Sequence, residues 1–207
     1  MKNENLYTIP NDVAVPVDDG ACNHLSGMSV PSMPLPSTGN RSVDLAAVSG
    51  KQLVVVYCYP RTGRPGEEPP NGYAAWNAIP GARGCTPQTC AFRDYYNELQ
   101  KLGAEVFGLS TQTTEYQREL VEREHLPFEI LSDVELRFAN ALRLPIFEVE
   151  GETLLKRLTL IIHKREIVKV FYPVFPPDKN PEEVIAWLSE ARGKKQDISS
   201  YPRETSL

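Results

Sequence analysis

The chain has no long apolar run. No stretch of about eighteen apolar residues occurs in its 207 residues, so we expect no membrane-spanning helix. Residues 1–6 contain no apolar core, which argues against a secretory leader. The net charge of −5, without a basic patch, argues against a nucleic-acid or anionic-membrane partner. We therefore expect a cytoplasmic globular protein with one sizeable core.

Cysteine and histidine are also scarce. The four cysteines are too few and too irregularly spaced for the disulfide framework of a secreted protein: Cys22, Cys58, Cys85 and Cys90. In a reducing cytosol, a cysteine pair is more often catalytic or redox-sensing than structural. The three histidines are scattered singly rather than paired at ligand spacing, which argues against a zinc site.

The run Gly-Cys-Thr-Pro-Gln-Thr-Cys at residues 84–90 predicts a reactive thiol at a helix start. Thr86 is a favourable N-cap, Pro87 suits the first helical position, and apolar residues follow at helical spacing. Cys85 is therefore expected just outside the helix N-terminus. There, unpaired backbone N–H groups and the helix dipole favour a thiolate, which is the reactive form of cysteine.

The spacing of Cys85 and Cys90 has a structural consequence. In an unbroken helix, the Cα atoms of residues five apart are separated by roughly 8–9 Å. A disulfide tolerates at most about 7 Å. If the two thiols pair, the first turn of the helix must unwind, so oxidation would change the local structure. The alternative is a pair of ordinary helix cysteines.

Composition divides the chain into three parts. Residues 1–45, rich in Pro, Asn, Ser and Asp, are predicted to form an extended arm of turns with a short hairpin. Residues 46–193 are predicted to form the main domain, and residues 194–207 a polar tail. Within the domain, residues 61–84 contain five Gly and four Pro and predict a long loop of the kind that usually serves a site.

Hydrophobic patterning predicts an α/β fold. Strands are expected at 52–59, 105–110, 128–131, 158–163 and 167–175, and helices at 86–102, 114–124, 134–142 and 180–193. The last two strands are expected to form an antiparallel hairpin, and Asn180 and Gly193 to cap and end the last helix. This order implies a thioredoxin-like mixed β-sheet with helices on both faces. Cys85 then follows a strand at its carboxyl end, where α/β sheets hold their sites.

The order of these motifs resembles that of the peroxiredoxins. The resemblance rests on Tyr-Cys-Tyr-Pro at 57–60, Gly-Cys-Thr at 84–86 followed by Cys90, and further motifs at 108–110, 131–133, 156–162 and 187–188. The branch that the chain resembles is the peroxiredoxin Q or bacterioferritin-comigratory-protein group, over roughly residues 25 to 190. No single motif is decisive, but their order and spacing together are specific.

The resemblance implies a thiol peroxidase that reduces hydrogen peroxide or organic hydroperoxides. Cys85 would attack the peroxide and become a sulfenic acid, and Cys90 would resolve it as an intramolecular disulfide. Thioredoxin or a similar dithiol would reduce that disulfide. The resemblance implies no metal or organic cofactor. We expect the chain to act as a monomer or a homodimer.

The resemblance also assigns Arg157 to the position of the family's active-site arginine. There its charge would stabilise the thiolate and polarise the peroxide bond. The residues alone favour a surface or ion-paired arginine at a strand start, because most arginines are exposed, and the resemblance reverses that preference.

The chain departs from the family pattern before Cys85. The family has a Pro seven residues and a Thr or Ser three residues before the reactive cysteine, where this chain has Ala78 and Ala82. Pro60 and Thr62 end the preceding strand as the family's Pro and Thr would, and the 61–84 segment is inserted after them. The peroxide-binding hydroxyl is retained only if Thr62 folds back to the thiol.

Two other functions fit the same fold. One is a thiol–disulfide oxidoreductase acting on proteins, although the chain has no Cys-x-x-Cys. The other is a redox sensor or binding module in which helix unwinding transmits oxidation.

Four residues outside the motif carry alternative expectations. Tyr73 and Trp76 are expected either to cover a pocket beside the reactive thiol or to anchor the inserted loop. Cys58, inside a strand, is expected to be a small buried hydrophobe. Cys22, in the arm, is an alternative resolving partner.

Overall fold

The computed structural model describes residues 5–199. Over that range the strands are β1 (Pro34–Pro36), β2 (Ser42–Asp44), β3 (Leu53–Cys58), β4 (Ala104–Ser110), β5 (Glu129–Ser132), β6 (Ile146–Val149), β7 (Glu152–Leu155), β8 (Leu158–His163) and β9 (Glu166–Phe171). The helices are α1 (Leu45–Ser49), α2 (Gly72–Ala78), α3 (Cys85–Asp94), α4 (Tyr96–Lys101), α5 (Thr114–Glu124), α6 (Arg137–Leu142) and α7 (Asn180–Ser199).

Five strands form the central sheet in the order β5-β4-β3-β8-β9. Strand β4 is parallel to β3 and β5, whereas β8 is antiparallel to β3 and β9. Parallel neighbours need crossover connections, and these contain α2, α3 and α4 in one case and α5 in the other. The mixed sheet and its helices confirm the predicted thioredoxin-like α/β fold, including the β8–β9 hairpin.

The side chains of β3 alternate between two cores. Val54, Val56 and Cys58 face one core, which we call the arm-side core and which also contains Cys22, Leu25, Leu45 and Phe138. Val55 and Tyr57 face the other, the thiol-side core, which also contains Cys85, Phe92, Leu99, Leu120 and Val184. The central sheet therefore separates Cys22 and Cys58 from the predicted reactive thiol.

The N-terminal arm packs against the domain. Its predicted hairpin is present as β1 and β2, and Leu25 is fully buried in the arm-side core. The short helix α1 was not predicted, because five residues are too few to show a helical period. It begins after Asp44, whose carboxylate accepts the N–H of Ala46 at 2.9 Å.

The inserted segment 61–84 is more ordered than its composition predicts. It contains α2, and Trp76 and Ala82 pack in a small third core with Val149 and Leu154. The last two residues belong to the hairpin of β6 and β7, which the sequence did not reveal. Packing against this hairpin folds the segment onto the surface.

Several predicted boundaries are wrong. The helix expected at 134–142 begins only at Arg137, and the strand expected at 167–175 ends at Phe171. The helix expected at 86–102 is broken at Tyr95 into α3 and α4. Helix α7 continues through Gly193 to Ser199, because one glycine inside a helix costs only about 1 kcal/mol relative to alanine. Residues 200–207 of the predicted tail lie outside the described residues.

Candidate active site

Cys85 is the first residue of α3, and Gly84 precedes it in the left-handed conformation with φ 98°. The prediction that Thr86 caps this helix and Cys85 lies outside it is therefore wrong. Gly84 is required because a Cβ atom there would lie 2.5 Å from Cγ of Pro177. The helix thus starts two residues earlier than its sequence signals indicate.

The Cys85 thiol lies in a buried, cationic environment. Its side chain is 3% exposed, and Sγ receives a hydrogen bond from Nη2 of Arg157 at 3.0 Å. Sγ itself donates to the carbonyl oxygen of Ala82 at 3.5 Å. A guanidinium and a helix N-terminus at the same sulfur both favour negative charge there, which is the condition for a nucleophilic thiol.

Arg157 is itself fixed by the end of the inserted segment. Its guanidinium donates to the carbonyl oxygens of Gly81, Ala82 and Arg83 at 3.1–3.2 Å, and to the side-chain oxygen of Gln88. Because the planar group is held on several sides, its position beside Cys85 is preorganised. Arg157 is 3% exposed, unlike the surface arginine considered as the alternative.

A polar chain behind Arg157 connects the site to α7. The amide nitrogen of Gln88 donates to Oδ1 of Asn180 at 3.1 Å, and the hydroxyl of Thr159 donates to the same oxygen at 2.6 Å. Asn180 is fully buried, and its side chain takes part in this hydrogen-bond network instead of capping α7 as predicted. Its predicted role as an N-cap is wrong because a tertiary partner competes for the side chain.

Thr62 returns to the site across the inserted segment. It is 1% exposed and lines the same pocket as Cys85. Gln112 holds it in place: its Oε1 accepts from the backbone N–H and the hydroxyl of Thr62 at 2.9 and 3.1 Å, and its amide donates to the carbonyl of Thr62. Because the Thr62 hydroxyl donates its proton to Gln112, its oxygen can serve a molecule in the pocket only as a hydrogen-bond acceptor.

The pocket above Cys85 is small. It has a volume of about 40 Å³, enough for about two water-sized molecules. Tyr73 and Trp76 both line it, and the guanidinium of Arg83 lies 5.2 Å from the ring centre of Tyr73. Trp76 also anchors the inserted segment in the third core, so both expectations for these aromatic residues describe the structure.

Cys90 lies in the same helix but in different surroundings. Its Sγ donates a hydrogen bond to Oε2 of Glu124 at 3.3 Å. Burial, followed by the nearby Glu124 charge, raises the pKa of Cys90 to about 12. Both Cys85 and Cys90 are free thiols, and α3 is continuous between them.

The other two cysteines are buried in the arm-side core. Burial raises the pKa of Cys22 to about 12 and raises that of Cys58 as well. Cys58 is fully buried and packs as a small hydrophobe, as expected. Cys22 lies across the central sheet from Cys85, which disfavours it as the resolving partner.

Sequence reasoning missed Gln88, Gln112, Glu124 and Asn180 as parts of the site. Gln88 follows Cys85 by three residues on the helix, a spacing that could have indicated a shared face. The others lie far away in sequence. Within residues 5–199, no three His, Cys, Asp or Glu side chains are grouped to hold a metal ion, and no helix is long and apolar enough to cross a membrane.

Comparison with known sequences finds one family over most of the chain. The family described as Redoxin matches residues 25–185. The chloroplastic peroxiredoxin Q of Sedum lineare is 32% identical over 167 residues, which cover 80% of this chain and 78% of that protein. The chloroplastic peroxiredoxin Q of Oryza sativa subsp. japonica is 31% identical over 185 residues, covering 86% and 76%.

Solved structures share the fold. Peroxidoxin BcpB from Mycobacterium tuberculosis aligns with a TM-score of 0.65 at 24% identity, covering 81% of this chain and 98% of that chain. The bacterioferritin comigratory protein of Xanthomonas campestris, whose structure was described for its alkyl peroxide reduction activity, aligns with a TM-score of 0.60 at 18% identity, covering 87% and 99%.

Proposed function

This chain belongs to the redoxin family, in its peroxiredoxin Q branch, and is a thiol peroxidase; from that premise we propose that Cys85 is the thiol that attacks the peroxide. The observation that carries the proposal is the contact of 3.0 Å between Nη2 of Arg157 and Sγ of Cys85 in a buried pocket. A cation fixed beside this sulfur stabilises the negative charge that moves during attack on a peroxide in the pocket.

The first step transfers one oxygen atom. The Cys85 thiolate attacks the terminal peroxide oxygen, the O–O bond breaks, and the departing oxygen leaves as water or an alcohol after taking up a proton. Cys85 becomes a sulfenic acid. Arg157 stabilises the charge that moves from sulfur to the leaving oxygen, and the hydroxyl oxygen of Thr62 accepts a hydrogen bond from the peroxide.

The second step forms a disulfide between Cys85 and Cys90. Their separation in the intact helix exceeds what a disulfide tolerates, so the first turn of α3 must unwind. A dithiol then reduces the disulfide, and thioredoxin or a similar protein is the reductant that we propose. No metal or organic cofactor takes part in this cycle.

The size of the pocket supports hydrogen peroxide or another small hydroperoxide as the substrate. A cavity of about 40 Å³ beside a thiol that is 3% exposed leaves no room for a large organic group without movement of the inserted segment. Measuring kcat/KM for hydrogen peroxide and for cumene hydroperoxide tests this. A clear preference for cumene hydroperoxide contradicts it.

The burial of Cys85 disfavours the protein oxidoreductase alternative, because a sulfur that is 3% exposed offers little surface to a protein disulfide in the intact helix. The peroxidase cycle is tested by mapping disulfides after one equivalent of peroxide. We expect a Cys85–Cys90 bond in the native chain, no peroxide consumption by Cys85→Ser, and sulfenic or overoxidised Cys85 in Cys90→Ser. A Cys22→Ser variant is the matched control, and a Cys85–Cys22 bond contradicts the proposed pairing.

The cellular site remains a prediction. We propose the cytoplasm from the sequence, whereas both plant relatives named above are chloroplastic. Fractionation with an antibody to the native protein tests it.

A further inference from the structure

A buried carboxylate lies beside the second thiol of the helix. Glu124 is the last residue of α5, and its side chain is only 6% exposed. Glutamate is rarely buried to this extent unless it is paired. The reaction steps described above make no use of Glu124, so its burial next to Cys90 calls for a separate explanation.

Both oxygens of Glu124 are occupied. Oε2 accepts from Sγ of Cys90 and from Nη1 of Arg93, each at 3.3 Å. Oε1 accepts from the hydroxyl of Tyr7 at 2.8 Å and from Nη1 of Arg123. We call these five residues the Glu124 cluster. It connects the N-terminal arm, α3 and the end of α5 at the position of Cys90.

Burial and the Glu124 cluster together raise the pKa of Cys90. The charged groups that act on this thiol are Glu124 from α5 and Arg93 and Asp94 from its own helix, and the buried Tyr57 of β3 lies near it. Arg123 and Tyr7 act on it only through Glu124, because both donate to Oε1 of that carboxylate. Burial and the Glu124 carboxylate favour the neutral thiol, while Arg93 opposes them. With a pKa of about 12, Cys90 is present mainly as the neutral thiol at pH 7.

The cluster also determines where Cys90 points. Its Sγ donates to α5, whereas Sγ of Cys85 contacts Arg157. The hydrogen bond to Glu124 holds the second turn of α3 against α5. Formation of the disulfide requires this bond to break before the helix can unwind.

We propose that Glu124 is a latch: a positioning residue that holds Cys90 protonated and docked on α5, and thereby delays disulfide formation after Cys85 has been oxidised. The proposal rests on the peroxidase cycle above. In the delayed step, the S–H bond of Cys90 and the S–O bond of the Cys85 sulfenic acid break, the S–S bond forms, and the hydroxyl leaves as water with the Cys90 proton. Delay gives a second peroxide time to convert the sulfenic to a sulfinic acid.

The test is Glu124→Gln, which keeps the shape of the side chain and removes its charge. In a Cys85→Ser background, we expect the pH profile of Cys90 alkylation to move to lower pH. With Cys85 present, we expect disulfide formation to become faster by about threefold for each unit by which the pKa falls. The fraction of sulfinic Cys85 at high peroxide should fall accordingly. A merely structural role would not shift the pH profile.

Two further variants complete the experiment. Glu119→Gln is the matched control, because Glu119 pairs with Arg123 at 2.7 Å from the preceding turn, and it should leave the Cys90 profile unchanged. Arg93→Gln removes the opposing cation and should move the profile to higher pH and slow disulfide formation. If Glu124→Gln does not fold, the shift of the Cys90 alkylation profile in Arg93→Gln still tests the proposal.

An unshifted Cys90 profile in Glu124→Gln, or slower disulfide formation, overturns the latch. Failure of the peroxidase cycle would appear separately, as peroxide that does not oxidise Cys85 in the native chain. The alkylation measurement does not depend on that step.

Discussion

Cys85 and Cys90 share one helix and differ in almost every other respect. The first contacts a guanidinium at the helix N-terminus, and the second contacts a carboxylate one turn further on. Cys85 is buried and Cys90 is half-buried. In the cycle that we propose, the sign of the nearest charge distinguishes the two roles: attack on peroxide for Cys85, and a delayed second step for Cys90.

The largest effect should come from removing the cation at Cys85. Arg157→Gln is expected to lower the rate of Cys85 oxidation by roughly 10²–10³, the usual cost of losing one preorganised stabilising group. The rate is measured by stopped-flow fluorescence or by competition for peroxide. Cys90 alkylation should be unchanged, since Arg157 does not contact it. Equal slowing of both thiols would mean that the fold is disturbed.

The helix start beneath Cys85 can be disturbed without touching the Glu124 cluster. Gly84→Ala forces a left-handed alanine and a clash with Pro177, so we expect a loss of about 2–4 kcal/mol in the free energy of unfolding. Gly66→Ala is the control, because Gly66 has φ 85° but open space around its Cβ position, and it should cost about 1 kcal/mol. Denaturant unfolding measures both. Equal losses would show that the Pro177 contact is unimportant.

Substitution of Thr62 should reduce peroxidase activity less than substitution of Arg157. Thr62→Val removes the hydroxyl that faces the pocket, and we expect kcat/KM for hydrogen peroxide to fall roughly tenfold, the cost of one hydrogen bond. Thr62→Ser keeps the hydroxyl and should retain most activity. If valine is tolerated as well as serine, Thr62 does not bind peroxide.

The smallest effect should come from a thiol outside the helix. Cys22→Ala is expected to leave peroxide turnover within experimental error and to lower stability by about 1 kcal/mol, because a buried sulfur is lost from the arm-side core. Steady-state kinetics and thermal unfolding measure the two. A loss of turnover would contradict the separation of the two cores by the sheet.

Local sequence predicted the features that depend on neighbouring residues. The five strands of the central sheet, α5 and the thiol at a helix start all follow from periodicity and composition. The position of Cys85 within the helix was predicted wrongly, because Thr86 is a better N-cap by propensity and only Pro177, distant in sequence, explains Gly84. Capping propensity is a property of the single residue, whereas the start of α3 depends on the tertiary contact between Gly84 and Pro177.

The charged residue beside Cys85 was predicted, whereas the one beside Cys90 was not. Arg157 was assigned only through the family resemblance, since its partners are backbone carbonyls that leave no signal in the sequence. Glu124 had no signal at all, because its partners lie on three separate segments. Asn180 carried the correct signal for a cap, but its buried partners Gln88 and Thr159 outcompeted the helix end.

The polar chain from α7 to Cys85 also bears on synthesis of the protein. Arg157 lies 72 residues after the thiol that it contacts, and Asn180, which holds Gln88, follows it on the chain. While the ribosome is still making these residues, Cys85 has neither its cation nor the support behind it. If Cys85 has the role that we propose, the nascent chain should react slowly with peroxide until the C-terminal part has emerged and docked.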